Sequence, residues 1–194
     1  AVKRTLHTSL GSMSIFLIPI ALAMVVLANP IVSVAFGRGE FTSEKVTITA
    51  QAMQFYCISV ISLGWRQIME KVFYAMEDTK TPMINSVISI VVNIVLNLIL
   101  IRFMQHRGLA LATTVSSVLT AMLFFVNLQK KIGNFGGRKL FDSFCKTGIA
   151  ALVMAFVMKL MFAFSGLVMQ SVVINLMITS VVGMVVYYLM LQTL

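Results

Sequence analysis

Composition, long uncharged stretches and the placement of basic residues predict an all-α polytopic membrane protein with about six transmembrane helices. Of the 194 residues, 59% are hydrophobic and 11% charged; soluble domains reach about 45–50% and roughly 25%. A mean hydropathy of +0.98 agrees. So few polar side chains cannot coat a water-soluble globule, and neither disorder nor a disulfide scaffold suits this composition. A β-barrel would alternate apolar and polar residues in segments of about ten, and no such alternation is present.

Each span follows from an uncharged run. A crossing needs about 20 apolar residues. Met13 to Phe36, Val46 to Trp65, Thr81 to Ile101 and Gly108 to Gln129 carry no charge. After Lys146 a further apolar region, interrupted by Lys159, is too long for one crossing. Small and polar residues mark turns, so the break is expected at Ser165-Gly166, followed by Gln170-Ser171. The expected spans are 12–36, 46–75, 82–103, 108–129, 143–164 and 171–193. Pro19 and Pro30 are expected to break or kink the first. Thr81-Pro82 reads as a helix cap followed by proline at the first helical position, after a tight polar turn of Glu77, Asp78 and Lys80.

Cytoplasmic loops keep an excess of lysine and arginine. One side holds Lys3, Arg4, Lys71, Lys80, Lys130, Lys131, Arg138, Lys139 and Lys146; the other holds Arg38, Lys45, Arg102 and Arg107. Both termini are therefore expected in the cytoplasm. The net charge of +9 reflects this bias and attraction to anionic lipid, and no nucleic-acid partner is expected. Cys57 and Cys145 fall at different depths and read as small buried hydrophobes, not a pair. The chain begins at Ala1 without a signal-peptide pattern and reads as a piece of something longer.

Ionisable groups inside a span usually face the bundle interior or a wet cavity. The second span carries Gln51, Gln54, Arg66, Gln67, Glu70 and Lys71. Arg66 and Glu70 are four apart and can pair on one face. This face, with Lys71, either lines a hydrated path that meets an anionic substrate or snorkels toward the interface. The third span carries Asn85, Ser86, Asn93 and Asn97. Asn93 and Asn97, again four apart, either hydrogen-bond across helices or offer oxygens to a small cation. Thr113, Thr114, Ser116, Ser117 and Thr120 on the antiparallel fourth span supply further oxygens. No metal-ligand spacing, nucleophile triad or phosphate-cradling glycine loop appears, so no catalytic residues and no enzyme are expected.

Several motifs then carry a resemblance. Phe36-Gly37-Arg38-Gly39-Glu40-Phe41-Thr42 resembles the external F-G-R-G-x-F-T loop of the MurJ/MviN lipid II flippases. Phe73-Tyr74-Ala75-Met76-Glu77-Asp78-Thr79-Lys80-Thr81-Pro82 resembles their F-Y-A-x-x-D-T-K-T-P turn. Asn93-Ile94-Val95-Leu96-Asn97 and Gly108-Leu109-Ala110-Leu111-Ala112-Thr113 follow in the family's order. The resemblance covers about residues 1–131; the last two spans match by hydropathy.

The resemblance implies helices nine to fourteen of a fourteen-helix, two-lobe exporter fold. Residues 1–131 would complete the second transport lobe, and 132–194 would form the pair that shapes a groove for the polyprenyl tail. The implied activity moves lipid II, a polyprenyl-pyrophosphate-linked muropeptide, to the outer leaflet of the bacterial inner membrane by alternating access. Expected partners are that lipid, membrane lipids and the preceding helices of the same protein. A related polysaccharide or drug exporter, or a non-transporting scaffold of cell-wall assembly, is the alternative. No cofactor is implied beyond a sodium ion, for which Asn93, Asn97, the Leu109 carbonyl and Thr113 match the family's ligands. Asn97 stands where sodium-binding members have an acid, and their remaining acidic ligand belongs to a helix outside this chain. Arg66 and Lys71 are the cationic candidates for the substrate cavity.

Overall fold

Hydrocarbon offers the backbone no hydrogen-bond partners, so an apolar crossing must satisfy itself as a helix. The computed structural model describes residues 2–37, 42–104, 106–133, 136–165 and 171–193. These form α1 (Val2–Val26), α2 (Ala28–Phe36), α3 (Ser43–Ala75), α4 (Lys80–Met104), α5 (His106–Ile132), α6 (Gly137–Ser165) and α7 (Val172–Thr193). Six of the seven are long and apolar enough to cross a membrane. Across the bundle the packing order is α4, α5, α3, α1, α6, α7, with α2 against α3. The end that gathers Lys3, Arg4, Lys71, Lys80, Lys130 and Lys131 is called the lysine-rich end below.

The first span starts earlier than expected and is broken, as its prolines predict. It begins at Val2, ten residues early, because Leu6, Leu10, Ser14 and Ile18 repeat every fourth residue and all are buried. Lys3 and Arg4 stay on the exposed side. It is also two helices, interrupted at Leu27. Pro30 has no N–H for the Val26 carbonyl, and its ring crowds that oxygen. Hydrogen bonds from Leu27 to Ala23 and from Ile31 to Leu27, both 2.9 Å, hold the two pieces together.

Pro19, expected to break or kink the span, lies inside α1 without ending it. The Ile15 carbonyl that Pro19 cannot serve accepts a hydrogen bond from the Tyr187 hydroxyl at 2.7 Å. A neighbouring helix thus repairs the lost backbone bond. Beside the Leu27 break, Gln54 Nε2 donates to the Val25 carbonyl at 3.0 Å, so this polar residue of α3 has a structural partner.

The apolar core at the lysine-rich end joins four helices: Leu6 and Leu10 of α1, Met69 and Phe73 of α3, Phe124 and Leu128 of α5, and Leu140 of α6. A second cluster of Leu27, Met154 and Met158 sits beside the α1–α2 break. α6 ends at Ser165, as expected; residues 166–170 lie outside the described residues. Between α6 and α7, Asn175 Oδ1 accepts from Ser165 and Thr179, and its Nδ2 donates to the Phe162 carbonyl. The cysteines are unpaired; Cys57 is buried, but Cys145 is exposed. It occupies the outer side of α6, whose buried side carries Thr147, Ala150 and Ala151.

Candidate functional site

The Phe73–Pro82 turn is built by its backbone first. The Asp78 N–H bonds the Phe73 carbonyl and the Glu77 N–H bonds the Tyr74 carbonyl, each at 3.0 Å. This closes α3 with Glu77 in the left-handed region, φ 59°, where glycine is usual. Asp78, not Thr81, then caps α4. Its Oδ1 accepts the Thr81 N–H at 3.0 Å, and its Oδ2 accepts the Thr81 hydroxyl at 2.7 Å. The expected cap residue is itself the donor, because the carboxylate one turn earlier is the stronger acceptor. Lys131 of α5 adds an ion pair at 2.5 Å. The Lys131 ammonium and then the Thr81 donors hold the Asp78 carboxyl well below the usual carboxylate range. Thr79 and Lys80 are exposed, and Pro82 is buried at the third position of α4. Of the other loop motif, Gly37 ends α2 with its N–H on the Ser33 carbonyl at 2.8 Å; Arg38 and Gly39 lie outside the described residues.

Arg66 and Glu70 pair as their spacing predicts, Nε to Oε2 at 3.8 Å, with side chains 29% and 24% exposed. The Arg66 guanidinium also lies 5.9 Å from the Phe124 ring centroid, a cation–π distance. Tyr74 donates to Glu70 Oε1 at 2.8 Å. The face is thus a chain from Phe124 through Arg66 and Glu70 to Tyr74. Lys71 is exposed and does not join it.

The asparagines of α4 form a ladder with α5. At the lysine-rich end Asn127 Nδ2 donates to Asn85 Oδ1 at 2.9 Å. Thr120 donates to Ser89 at 2.6 Å, and Asn93 Nδ2 donates to Ser116 at 3.0 Å. Asn97 Nδ2 closes back on Asn93 Oδ1 at 2.9 Å. Cross-helix bonding therefore engages Asn93. Ser89 and Asn127 are members that the motif reading passes over. The spacing 85, 89, 93, 97 is the signal that finds Ser89, since residues four apart share a helix face.

Two ladder atoms remain unmatched: Asn85 Nδ2 and Asn97 Oδ1 are buried without a hydrogen-bond partner. On α5, Thr113, whose carbonyl accepts from Ser116 at 3.0 Å, donates its hydroxyl to the Leu109 carbonyl at 3.0 Å. Among the described residues no group of three or more histidine, cysteine or acidic side chains could hold a metal. What α4 and α5 offer is neutral oxygen, with Asn97 Oδ1 open as an acceptor. That donor set fits a weakly held monovalent cation and not a transition metal.

The family profile described as lipid II flippase MurJ matches residues 1–189. The chain belongs to the MurJ lipid II flippase family. The match includes α6 and α7, which the family motifs do not reach. A Buchnera aphidicola (subsp. Schizaphis graminum) protein named probable lipid II flippase MurJ is 30% identical over 148 residues, 76% of this chain and 29% of that protein. A Haemophilus influenzae protein of the same name is 33% identical over 146 residues, 74% of this chain and 28% of that protein. The fold matches a solved lipid II flippase MurJ in an inward closed conformation with a TM-score of 0.81 and 23% identity, over 97% of this chain and 38% of that one. The chain thus spans less than a third of the length of these curated MurJ relatives. With six apolar helices and this family, it is a multi-pass membrane protein.

Proposed function

We propose that this chain supplies six helices of a bacterial inner-membrane flippase that carries lipid II from the cytoplasmic to the outer leaflet by alternating access. The observation that carries the reading is the family match across residues 1–189. The lysine-rich end is the cytoplasmic one under the positive-inside rule. Residues 1–131 complete the second transport lobe, and 132–194 border the groove for the polyprenyl tail. Depleting the protein in its own cells is expected to remove lipid II from the outer leaflet. Unchanged exposure, with no redundant flippase present, would defeat the proposal.

Arg66 is the residue for the pyrophosphate. A guanidinium presents a planar fork of donors that suits phosphate oxygens, and Phe124 and Glu70 hold it in one place; Lys71 adds a nearby charge. Losing a hydrogen bond to a charged group costs about 1.5–3 kcal/mol. Arg66→Ala is therefore expected to cut lipid II transport about ten- to a hundredfold while the protein still inserts. Full activity of that variant favours an arginine that merely snorkels.

A sodium ion is proposed at Asn93, Asn97, the Leu109 carbonyl and Thr113, where it would coordinate the open Asn97 oxygen. At constant ionic strength, sodium is expected to raise the melting midpoint of the protein more than potassium does. Asn97→Leu should erase the difference and Asn97→Asp should enlarge it. Equal responses to the two ions in the unmodified protein would end the cation proposal.

A further inference from the structure

A second polar site lies at the other end of the ladder. A cavity of about 420 Å³ opens at the lysine-rich end of the α4–α5 seam, lined among others by Asp78, Thr81, Asn85, Asn127, Lys130 and Lys131. Asn85 is 2% exposed. Its Oδ1 is taken by Asn127, and its Nδ2 has no partner. A buried donor left without an acceptor carries a desolvation cost that an incoming oxygen relieves. The cations beside it decide which oxygen. Asp78 is already served by Lys131 and both Thr81 donors. Lys130 is exposed and forms no ion pair among the described residues. The cavity therefore holds a net positive charge, an unmet buried donor and a lysine free to close over a ligand.

We propose that this cavity binds a phosphate group, carried by the head group of an anionic phospholipid. The lipid source follows from the wall next to it. Ile84 lines the cavity, and Met83, Val87, Ile88 and Val91 continue along α4 as exposed apolar side chains. Within this chain α4 packs chiefly on α5, so none of the described helices covers this face and an acyl chain can lie along it. Helix ends at the membrane surface are also where anionic head groups sit. Bound there, a phosphate receives the Asn85 Nδ2 hydrogen bond and the Lys130 ammonium, and so bridges α4 to α5. The proposal is independent of which lipid the protein transports.

The test uses the purified protein in phosphatidylcholine nanodiscs with and without phosphatidylglycerol, reading lipid retention by native mass spectrometry and stability by thermal unfolding. Phosphatidylglycerol is expected to be retained selectively and to raise the melting midpoint. Each surface cation contributes roughly a fivefold change in affinity for anionic lipid. Lys130→Gln is therefore expected to weaken retention about fivefold or more, since it removes a seated contact, not just surface potential. Lys3→Gln, exposed at the same end but outside the cavity, should change it less. Asn85→Asp replaces the open donor with an acceptor and should abolish the midpoint shift; Lys130→Gln tests the site without touching the core. Equal losses in Lys130→Gln and Lys3→Gln would reduce the effect to general surface charge and overturn the site. Equal stabilisation by inorganic phosphate in pure phosphatidylcholine would overturn the lipid assignment.

Discussion

Phe73→Ala is expected to destabilise the bundle by about 3–5 kcal/mol, the range for deleting a large buried aromatic. Its side chain is 0% exposed and meets Phe124 edge-on, with centroids 5.9 Å apart and planes at 75°. The residues around it come from α1, α3, α5 and α6, so no single helix can shift inward to fill the void. Between membrane helices the gain over lipid contact is mainly packing, not the hydrophobic effect. The loss is therefore of dispersion contacts across an uncollapsed cavity. Phe73→Leu keeps most of the volume and should cost under about 1.5 kcal/mol. Trp65, the one tryptophan, packs against this cluster and lies 5.4 Å from Phe144. Its fluorescence during denaturation in detergent micelles reports the change directly. A Phe73→Ala midpoint matching that of Phe73→Leu would show that the four-helix junction does not depend on the ring.

This cluster also shows what could be read from the residues alone. The spans were legible because hydropathy along the chain needs no partner to interpret. The α3–α4 turn was legible as a polar turn, yet which residue caps it was not: Thr81 and Asp78 are both capping types, and the Lys131 contact that fixes the carboxylate comes from 53 positions away. The early start of α1 was hidden for a similar reason. Residues 2–11 are too polar to read as a span, and their helix depends on Leu6 and Leu10 reaching a core assembled by other helices. Asn93 and Asn97 were visible as a pair because local spacing defines them. Asn127 was not, since its role exists only opposite Asn85. Cys145 shows the opposite failure, as membership of a mostly buried residue type does not say which side of a helix faces out.

The ladder joins two proposals that the sequence motifs keep apart. Its inner rungs satisfy one another, so α4 and α5 are held by fixed pairs. Its ends do not close: an acceptor is left at Asn97 and a donor at Asn85. Opposite chemistry at the two ends calls for opposite ligands, a cation at one and an anion at the other. Each ligand would tighten the same seam, so binding at one end is expected to favour the arrangement that the other needs.

Gly183→Leu is expected to separate α7 from α6 at a cost of about 1–3 kcal/mol, the usual penalty for overpacking. A β-carbon built at Gly183 meets Met158 Sδ at 2.5 Å and Cγ at 2.8 Å, so even alanine forces a shift. Gly183→Ala is diagnostic for that reason: in an open helix it would stabilise by about 1 kcal/mol, and here the contact should cancel or reverse that gain. Met158 cannot simply swing away, because it is 2% exposed and packed with Leu27 and Met154 at the α1–α2 break. One turn after Gly183, Tyr187 serves the Ile15 carbonyl that Pro19 leaves open. A wedge at 183 would pull that hydroxyl off and expose the unpaired carbonyl, adding to the cost. A double-mutant cycle with Met158→Ala isolates the clash. The second substitution should recover about half or more of the loss from Gly183→Leu, giving a coupling of about 1 kcal/mol. Strict additivity in thermal unfolding would mean that the two helices do not meet at this glycine.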